Sequence, residues 1–387
     1  MRYFGYLLIL AFFSLSLLNV TSTQNLVLWK LSILANEYGH GLALIGFLLI
    51  AAIVRSRPSI GWPTGLSLMF ILMACVLFLR PAYFAWKVAP EIKQELLLTF
   101  GDSDVLKRNA LSLPHLFSPP SLNFGRPHPE THEYVRYGDE ALKLDYYRPK
   151  PGAIPAAWIL VIHGGGWNGG DRSQLSELNS YLAEKGYGVI SMSYRLVPKW
   201  KWPAPKEDVL AAVKYVKENH VKFGLDPASW FILGRSAGGQ IAEAVAYSLP
   251  DPTLRGCIAF YAPADLNFAY QFGAEDDILG SLQLLRDYLG GTPTQVPDAY
   301  HEASSFDFVN PKSPPTLLFH GELDTLVWHR QSERLIKKLK ENSVKSMFLS
   351  FTTATHGFDF NLIGPSGQAS TYAVEHFLET QRKRPSE

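Results

Sequence analysis

The chain has 387 residues, of which 47% are apolar and only 18% are charged, a composition that excludes an intrinsically disordered protein. The formal net charge of +1 gives no basic excess of the kind that binds nucleic acid. Two cysteines are too few for a disulfide scaffold or a cysteine-based zinc site.

The first 80 residues are far less charged than the rest, with five basic residues and one acidic residue. Apolar stretches occupy residues 3–20, 31–54 and 60–79, and each approaches the length of about 20 residues that a membrane-spanning helix needs. We therefore predict a membrane anchor of about three transmembrane helices in residues 1–80. A cleaved signal peptide is the alternative for the first stretch, although no convincing small-residue cleavage site follows it.

Positive charges near these stretches predict the orientation of the chain. Arg2 precedes the first stretch, Arg55 and Arg57 lie between the second and third, and Lys30 alone lies between the first and second. Because positively charged loops tend to stay in the cytoplasm, the chain after Arg80 is placed on the other side. We expect a multi-pass membrane protein with an extracytoplasmic catalytic region.

Residues 81–130 are predicted to be a connector, since five prolines between residues 113 and 130 favour an extended, irregular chain. In residues 131–387, β-rich runs alternate with helix-like segments, which is typical of an α/β fold with a mainly parallel sheet covered on both faces. The predicted strands are 131–137, 142–147, 157–162, 187–193, 229–234, 255–261, 315–320 and 346–351. The predicted helices are 171–185, 204–222, 237–248, 329–341 and 367–381. The first two strands predict an antiparallel hairpin at the sheet edge.

A serine flanked by glycines follows the fifth predicted strand. The motif G-R-S-A-G at residues 234–238 stands between an apolar strand and a helix-like segment. This strand–turn–helix setting predicts a nucleophile elbow that presents Ser236. Upstream, Gly164–Gly166 follow the third predicted strand, and such a glycine run lets backbone N–H groups turn toward a developing oxyanion.

An acid and a histidine follow two later strands. Asp324 comes after the strand at 315–320, and His356 comes after the strand at 346–351. The order Ser236, Asp324, His356 is that of the α/β-hydrolase triad. In this chemistry the histidine accepts the serine proton, and the aspartate holds the imidazole in the required tautomer.

Three other titratable residues lie close to these motifs. Glu322 is an alternative acid, but it lies two residues nearer the strand than Asp324. We interpret His163 and His320 as structural residues that brace their loops.

The sequence resembles the hormone-sensitive-lipase-like and feruloyl/acetyl-esterase-like carboxylesterases of the α/β-hydrolase superfamily. The motifs that carry the resemblance are HGGGW (163–167), YRL (194–196), PAPKEDVLAAVKYV (203–216), FGLDP (223–227), GRSAGG (234–239), PPTLLFHGELD (314–324) and THGF (355–358). Arg235 stands where the lipase-like branch usually has Asp, and together with Trp167 it favours the feruloyl/acetyl-esterase-like branch.

The resemblance implies an α/β-hydrolase domain in residues 131–387, with a cap insertion at about 263–313. It assigns one catalytic triad and one oxyanion hole. The triad is Ser236, Asp324 and His356. The oxyanion hole consists of the backbone N–H groups of Gly165, Gly166 and Ala237. Six cap side chains are candidates for an acyl pocket: Phe268, Tyr270, Phe272, Leu282, Leu285 and Tyr288.

The leading hypothesis is a membrane-anchored serine carboxylester hydrolase that acts on a small-molecule or lipid ester. It requires no metal and no organic cofactor, and no nucleic-acid partner is indicated. The open alternatives are amide or formamide hydrolysis, acyl transfer, lipid or prenylcysteine ester hydrolysis, and a non-catalytic receptor module. Because every motif lies beyond residue 131, we expect the catalytic region to work without residues 1–80.

Overall fold

The computed structural model describes residues 2–56, 61–118, 129–150 and 156–382. Arg57 and residues 119–128 of the predicted connector lie outside these ranges. The N-terminal part is helical. Its helices are α1 (Arg2–Leu17), α2 (Leu26–Glu37), α3 (Gly39–Ser56), α4 (Trp62–Phe100) and α5 (Leu113–Leu116).

An eight-stranded sheet forms the centre of the remaining chain, in the order β1-β2-β4-β3-β5-β6-β7-β8. The strands are β1 (Glu130–Tyr137), β2 (Glu140–Tyr147), β3 (Ala156–Ile162), β4 (Gly188–Met192), β5 (Leu225–Arg235), β6 (Leu254–Phe260), β7 (Thr316–Gly321) and β8 (Ser346–Phe351). The β1–β2 and β2–β4 pairs are antiparallel and the other pairs are parallel. The predicted α/β fold with its edge hairpin is therefore confirmed.

Helices cover both faces of this sheet. They are α6 (Ser176–Glu184), α7 (Ala204–Glu218), α8 (His220–Phe223), α9 (Ala237–Ser248), α10 (Leu266–Phe272), α11 (Ser281–Leu289), α12 (Pro297–Ala303), α13 (Ser305–Phe308), α14 (Arg330–Glu341) and α15 (Pro365–Gln381). Leu160 and Ile232 belong to the apolar core with α7, α9 and α14. Ile159 and Phe231 belong to the opposite core with α6 and α15. Strands buried on both faces explain the nearly continuous apolar runs of the sequence.

The predicted second membrane span, residues 31–54, consists of two helices that meet at Tyr38. The end of α2 is turned toward the loop that precedes α15, because Asn361 Nδ2 donates to the Glu37 carbonyl at 3.1 Å. The Glu37 side chain also accepts the backbone N–H of Ser366 at 3.2 Å. Helix α2 thus makes polar contacts with the region that contains the sheet, and the apolar helix α3 begins only after them.

The predicted third span and connector also differ from the structure, since α4 runs without a break through Pro81 and Pro90 to Phe100. Its last turns are buried in the core that contains α15, where the Phe100 and Phe377 rings lie 5.0 Å apart. We attribute the continuity of α4 to this burial, which offsets the hydrogen bonds that the prolines cannot make. The predicted boundary at residue 80 therefore lies inside a helix.

Within the described ranges, two helices, α3 and α4, are long and apolar enough to cross a membrane, and α1 is a shorter apolar helix. The three-span prediction is thus supported for two helices. Helices α3 and α4 approach closely through small residues: a Cβ atom on Gly46 would lie 2.3 Å from Cys75 Sγ. Close approach through small residues is common between membrane helices.

Candidate active site

Ser236 lies in the sharp turn between β5 and α9. Its φ of 53° and ψ of −123° fall in a region that non-glycine residues rarely adopt, at a cost of about 1–3 kcal/mol. A Cβ atom on Gly234 would lie 2.2 Å from the carbonyl oxygen of Gly238, so the turn requires glycine there. This turn places Ser236 at the carboxyl end of a central strand, as the G-x-S-x-G motif predicts.

The glycine-rich loop after β3 lies directly against this turn. A Cβ atom on Gly164 would lie 3.3 Å from Ser236 Cβ, and Gly165 and Gly166 have φ values of 118° and 59°. Among the described residues, neither Gly165 nor Gly166 finds an acceptor for its backbone N–H. Gly166 and Ala237 line the same cavity as Ser236. The loop therefore offers backbone donors next to the serine.

Asp324 and His356, which follow β7 and β8, are joined by a hydrogen bond. His356 Nδ1 donates to Asp324 Oδ2 at 2.6 Å. Asp324 Oδ1 accepts the backbone N–H groups of Leu326 and Val327 at 2.8 and 2.9 Å. In the described part of the chain, no hydrogen bond joins Ser236 to His356. Such bonds often tighten only when substrate binds, and His356 Nε2 is the nitrogen left to make it.

The environment of Asp324 keeps its carboxyl group ionised. Burial by itself raises the pKa of Asp324, but the charge of His356 and hydrogen bonds from His320 and His356 outweigh it and hold the pKa well below its usual value. His320 is fully buried, with Nδ1 2.7 Å from Ser332 Oγ and Nε2 3.2 Å from Asp324 Oδ2. His320 thus braces the acid, in line with the structural role that we predicted.

Glu322, the alternative acid, is exposed and accepts the Ser350 hydroxyl at 2.9 Å. The contact with His356 belongs to Asp324 instead. His163 is buried, its Nδ1 donates to the carbonyl of Gly164 at 2.7 Å, and its ring stacks on Tyr194. These contacts favour Asp324 as the acid and a bracing role for His163.

A buried polar network that the sequence analysis missed connects the serine turn to the histidine loop. Arg235 Nε donates to Asp359 Oδ2 at 2.5 Å, and the Tyr261 hydroxyl donates to Asp359 Oδ1 at 2.5 Å. The Tyr261 and His356 rings lie 4.2 Å apart. The sequence contained one signal for this pair. Arg235 stands beside the nucleophile, where burial of its charge requires a carboxylate, and Asp359 stands three residues after His356.

Ser236 faces a cavity of about 420 Å³, and the cap helices between β6 and β7 form part of its wall. Three of the six predicted cap side chains line it: Phe268, Phe272 and Leu285. Tyr288 is instead buried and stacks on Trp167 at 4.3 Å, and Tyr270 packs against Tyr300. Within the described ranges, no group of three or more His, Cys, Asp or Glu side chains is arranged to hold a metal ion.

The N-terminal region also reaches this site, contrary to the predicted separation of anchor and catalytic region. Ser22 and Gln24 line the cavity that contains Ser236. Trp29 Nε1 donates to the backbone carbonyl of His356 at 3.2 Å. No local pattern in the sequence predicts these contacts, because more than 200 residues separate the partners along the chain.

Comparison with known proteins is consistent with this geometry. The BD-FAE family model matches residues 144–339, which is half of the chain. The chain belongs to the BD-FAE family. The BD-FAE match covers β3 to β7 and the helices between them, and so includes the serine turn, the glycine-rich loop and Asp324.

Curated relatives of this BD-FAE chain include two Mycobacterium tuberculosis esterases. Esterase LipC is 28% identical over 63% of this chain and 64% of LipC, and esterase LipQ is 28% identical over 67% of this chain and 64% of LipQ. The matched region therefore spans less than two thirds of either relative. Among solved structures, a truncated carbohydrate esterase from gut microbiota has a TM-score of 0.57 and 23% identity, over 67% of this chain and 99% of that chain. This similarity supports the α/β-hydrolase fold.

Proposed function

We propose that the protein is a membrane-anchored serine carboxylester hydrolase. The observation that carries the proposal is the strained Ser236 turn in one cavity with Asp324, whose carboxylate is bound by His356. A serine held at the end of a strand beside an oriented histidine–aspartate pair is the arrangement used for acyl transfer. The esterase names of the relatives support the same class of reaction.

In the proposed reaction, Ser236 Oγ attacks the ester carbonyl carbon while His356 Nε2 takes the hydroxyl proton. The N–H groups of Gly165, Gly166 and Ala237 stabilise the oxyanion of the tetrahedral intermediate. His356 then gives its proton to the leaving alcohol, which departs and leaves an acyl-serine. Water attacks this acyl-enzyme while His356 Nε2 takes one of its protons. His356 then returns this proton to Ser236 Oγ as the acyl–oxygen bond breaks, which releases the carboxylic acid and restores the serine.

Membrane anchoring is supported by the surface of the N-terminal helices. Helices α1, α3 and the first half of α4 expose many large apolar side chains, among them Leu7, Leu48, Leu72 and Val76. In α2, which is too short to span a bilayer, Leu26, Val27, Leu28, Leu31 and Leu34 are exposed as well. We infer that α2 lies at the membrane surface and that α3 and α4 cross the bilayer.

The contact between Trp29 and His356 limits the possible topologies. Both residues must lie on the same side of the membrane, so an even number of crossings must separate them. Helices α3 and α4 provide two crossings and place Arg55 on the opposite side. The positive charge of Arg55 favours the cytoplasm for that side, and the catalytic region is then extracytoplasmic.

The test of the enzymatic proposal is covalent labelling of the full-length protein in detergent with a fluorophosphonate probe. We expect labelling of the wild type, and for Ser236→Ala a complete loss of labelling with a fall in kcat on the order of a millionfold. Ser248→Ala, at the other end of α9, is the matched control and should be labelled normally. An unlabelled wild type that is folded would favour the non-catalytic receptor module.

A further inference from the structure

One part of the candidate active site comes from the N-terminal helices, outside the residues that the BD-FAE family model matches. That match begins at residue 144. Residues 22–29, which connect α1 to the first turn of α2, precede the family match by more than 100 residues. We call them the wall segment.

The wall segment closes one side of the cavity. Ser22 and Gln24 line it together with Ser236. The hydroxyl of Thr325, the residue after Asp324, donates to the Thr23 carbonyl at 2.7 Å and so fixes the segment next to the acid. A substrate bound to Ser236 therefore meets Ser22 and Gln24 as well as the cap helices.

The end of the wall segment also contacts the loop that carries the base. The Trp29 indole N–H donates to the His356 carbonyl. The next residue, Gly357, has a φ of +81° and lies against both Trp29 and Ile33. A Cβ atom on Gly357 would lie 3.9 Å from the Trp29 ring and 3.4 Å from the Ile33 side chain. Asp324 orients the His356 side chain, whereas Trp29 holds the His356 backbone.

We propose that the wall segment is a specificity and positioning element of this active site. Ser22 and Gln24 limit the size of the bound ester, and Trp29 is a positioning residue that keeps His356 in register with Ser236. The inference rests on the proposed function. It also argues against the expectation that the catalytic region works alone, because removing residues 1–80 would remove one wall of the cavity and a support of the base.

The positioning role is tested with Trp29→Phe in the full-length protein, which keeps an aromatic ring but removes the N–H donor. Trp62→Phe is the matched control, because Trp62 is 81% exposed on α4. The concentration of active sites is first titrated with the fluorophosphonate, so that kcat is expressed per labelled site. With p-nitrophenyl acetate we expect Trp29→Phe to lower kcat about tenfold with little change in KM, and Trp62→Phe to match the wild type.

The specificity role is tested with Ser22→Phe and a series of p-nitrophenyl esters of increasing acyl length. Thr21→Phe is the control, since Thr21 is exposed and is not among the residues that line the cavity. We expect Ser22→Phe to lower kcat/KM for the octanoate at least tenfold relative to the acetate, with no such change in Thr21→Phe. Because Ser22 is exposed, this variant decides the question even if Trp29→Phe fails to fold.

The results separate the two proposals. A wild type that is labelled and active, with unchanged kcat per site in Trp29→Phe and an unchanged chain-length profile in Ser22→Phe, overturns the role of the wall segment alone. A reduced number of labelled sites with normal kcat per site would mean that Trp29 only stabilises the fold, and this also overturns its positioning role. A folded wild type that is neither labelled nor active overturns the proposed function and the inference together.

Discussion

The N-terminal helices and the hydrolase region use the same apolar residue types in opposite ways. In the sheet, Leu160 and Ile232 are completely buried between helices of the same chain. In the N-terminal helices, Leu48 and Val76 are mostly exposed although the surrounding sequence is almost uncharged. A soluble domain rarely exposes a continuous apolar surface of this kind, which is why we propose a lipid phase as the partner of the N-terminal helices.

The N-terminal helices and the hydrolase region meet at α2 and at the end of α4, where the N-terminal helices are partly buried. The last turns of α4 are buried against α15, and α2 bears polar contacts on one side and exposed leucines on the other. Helix α4 thus exposes apolar side chains at its beginning and is a core helix at its end. The comparison teaches that a region whose composition predicts an anchor can also be a structural part of the domain that contains the sheet.

Among the substitutions that compare the two regions, the largest effect is expected inside the hydrolase region, at the acid. Asp324→Asn should lower kcat about 10⁴-fold, because the imidazole loses the carboxylate that selects its tautomer and stabilises its charge. Glu322→Gln serves as control and should change kcat by no more than a few fold. Steady-state kinetics on p-nitrophenyl acetate measure both. A larger loss for Glu322→Gln would move the acid to that residue.

A pair of identical substitutions tests the comparison directly. Val76 on α4 is 62% exposed and Val221 on α8 is 81% exposed. Solvent accessibility alone therefore predicts that both positions tolerate an arginine equally well. If α4 faces lipid, Val76→Arg costs about 2.5–3.5 kcal/mol of insertion free energy and lowers the amount of protein in the membrane fraction. Val221→Arg should accumulate normally and stay within about 0.5 kcal/mol of the wild-type stability. Equal accumulation of the two variants would show that α4 does not face lipid.

The smallest effect concerns a carboxyl group buried in the hydrolase core. Burial raises the pKa of Glu243 to about 8, although the Ser305 hydroxyl that donates to it works in the other direction. Since the folded state holds this proton more tightly than the unfolded chain, the group favours folding most below its ordinary pKa, and this contribution is lost as the pH rises toward about 8.

Glu243→Gln should therefore raise the melting temperature at pH 8 by a few degrees, equivalent to about 1 kcal/mol, and flatten its dependence between about pH 5 and pH 8. Thermal unfolding in detergent, followed by circular dichroism at several pH values, measures this change. An unaltered slope in the variant would mean that Glu243 does not carry a raised pKa.

The sheet and the order of the site residues could be predicted from the sequence because both depend on local patterns. The β-rich runs predict all eight strands, and α9 begins at Ala237 as the elbow motif requires. Ser236, Asp324 and His356 each follow a strand, and in a parallel sheet such positions meet at one edge. Four helices, α10 to α13, lie between β6 and β7, where the resemblance predicts a cap.

The remaining features depend on contacts between distant parts of the chain. The separation of α2 from α3 depends on the contacts of Glu37 with Asn361 and Ser366, which no local pattern contains. The length of α4 depends on the burial of its end, where local proline content predicted irregular chain. The Arg235–Asp359 ion pair and the Trp29 contact likewise join residues that are more than 100 positions apart.

The position of Trp29 near the beginning of the chain and of His356 near its end has a consequence for biosynthesis. The wall segment leaves the ribosome first, but its partner loop is made only after α3, α4 and the whole sheet have been synthesised. If α3 and α4 cross the membrane, a chain that fails to insert them cannot bring the two partners together on one side. In the proposed enzyme, full activity would then appear only after translocation is complete, because the contact between Trp29 and the His356 loop cannot form earlier.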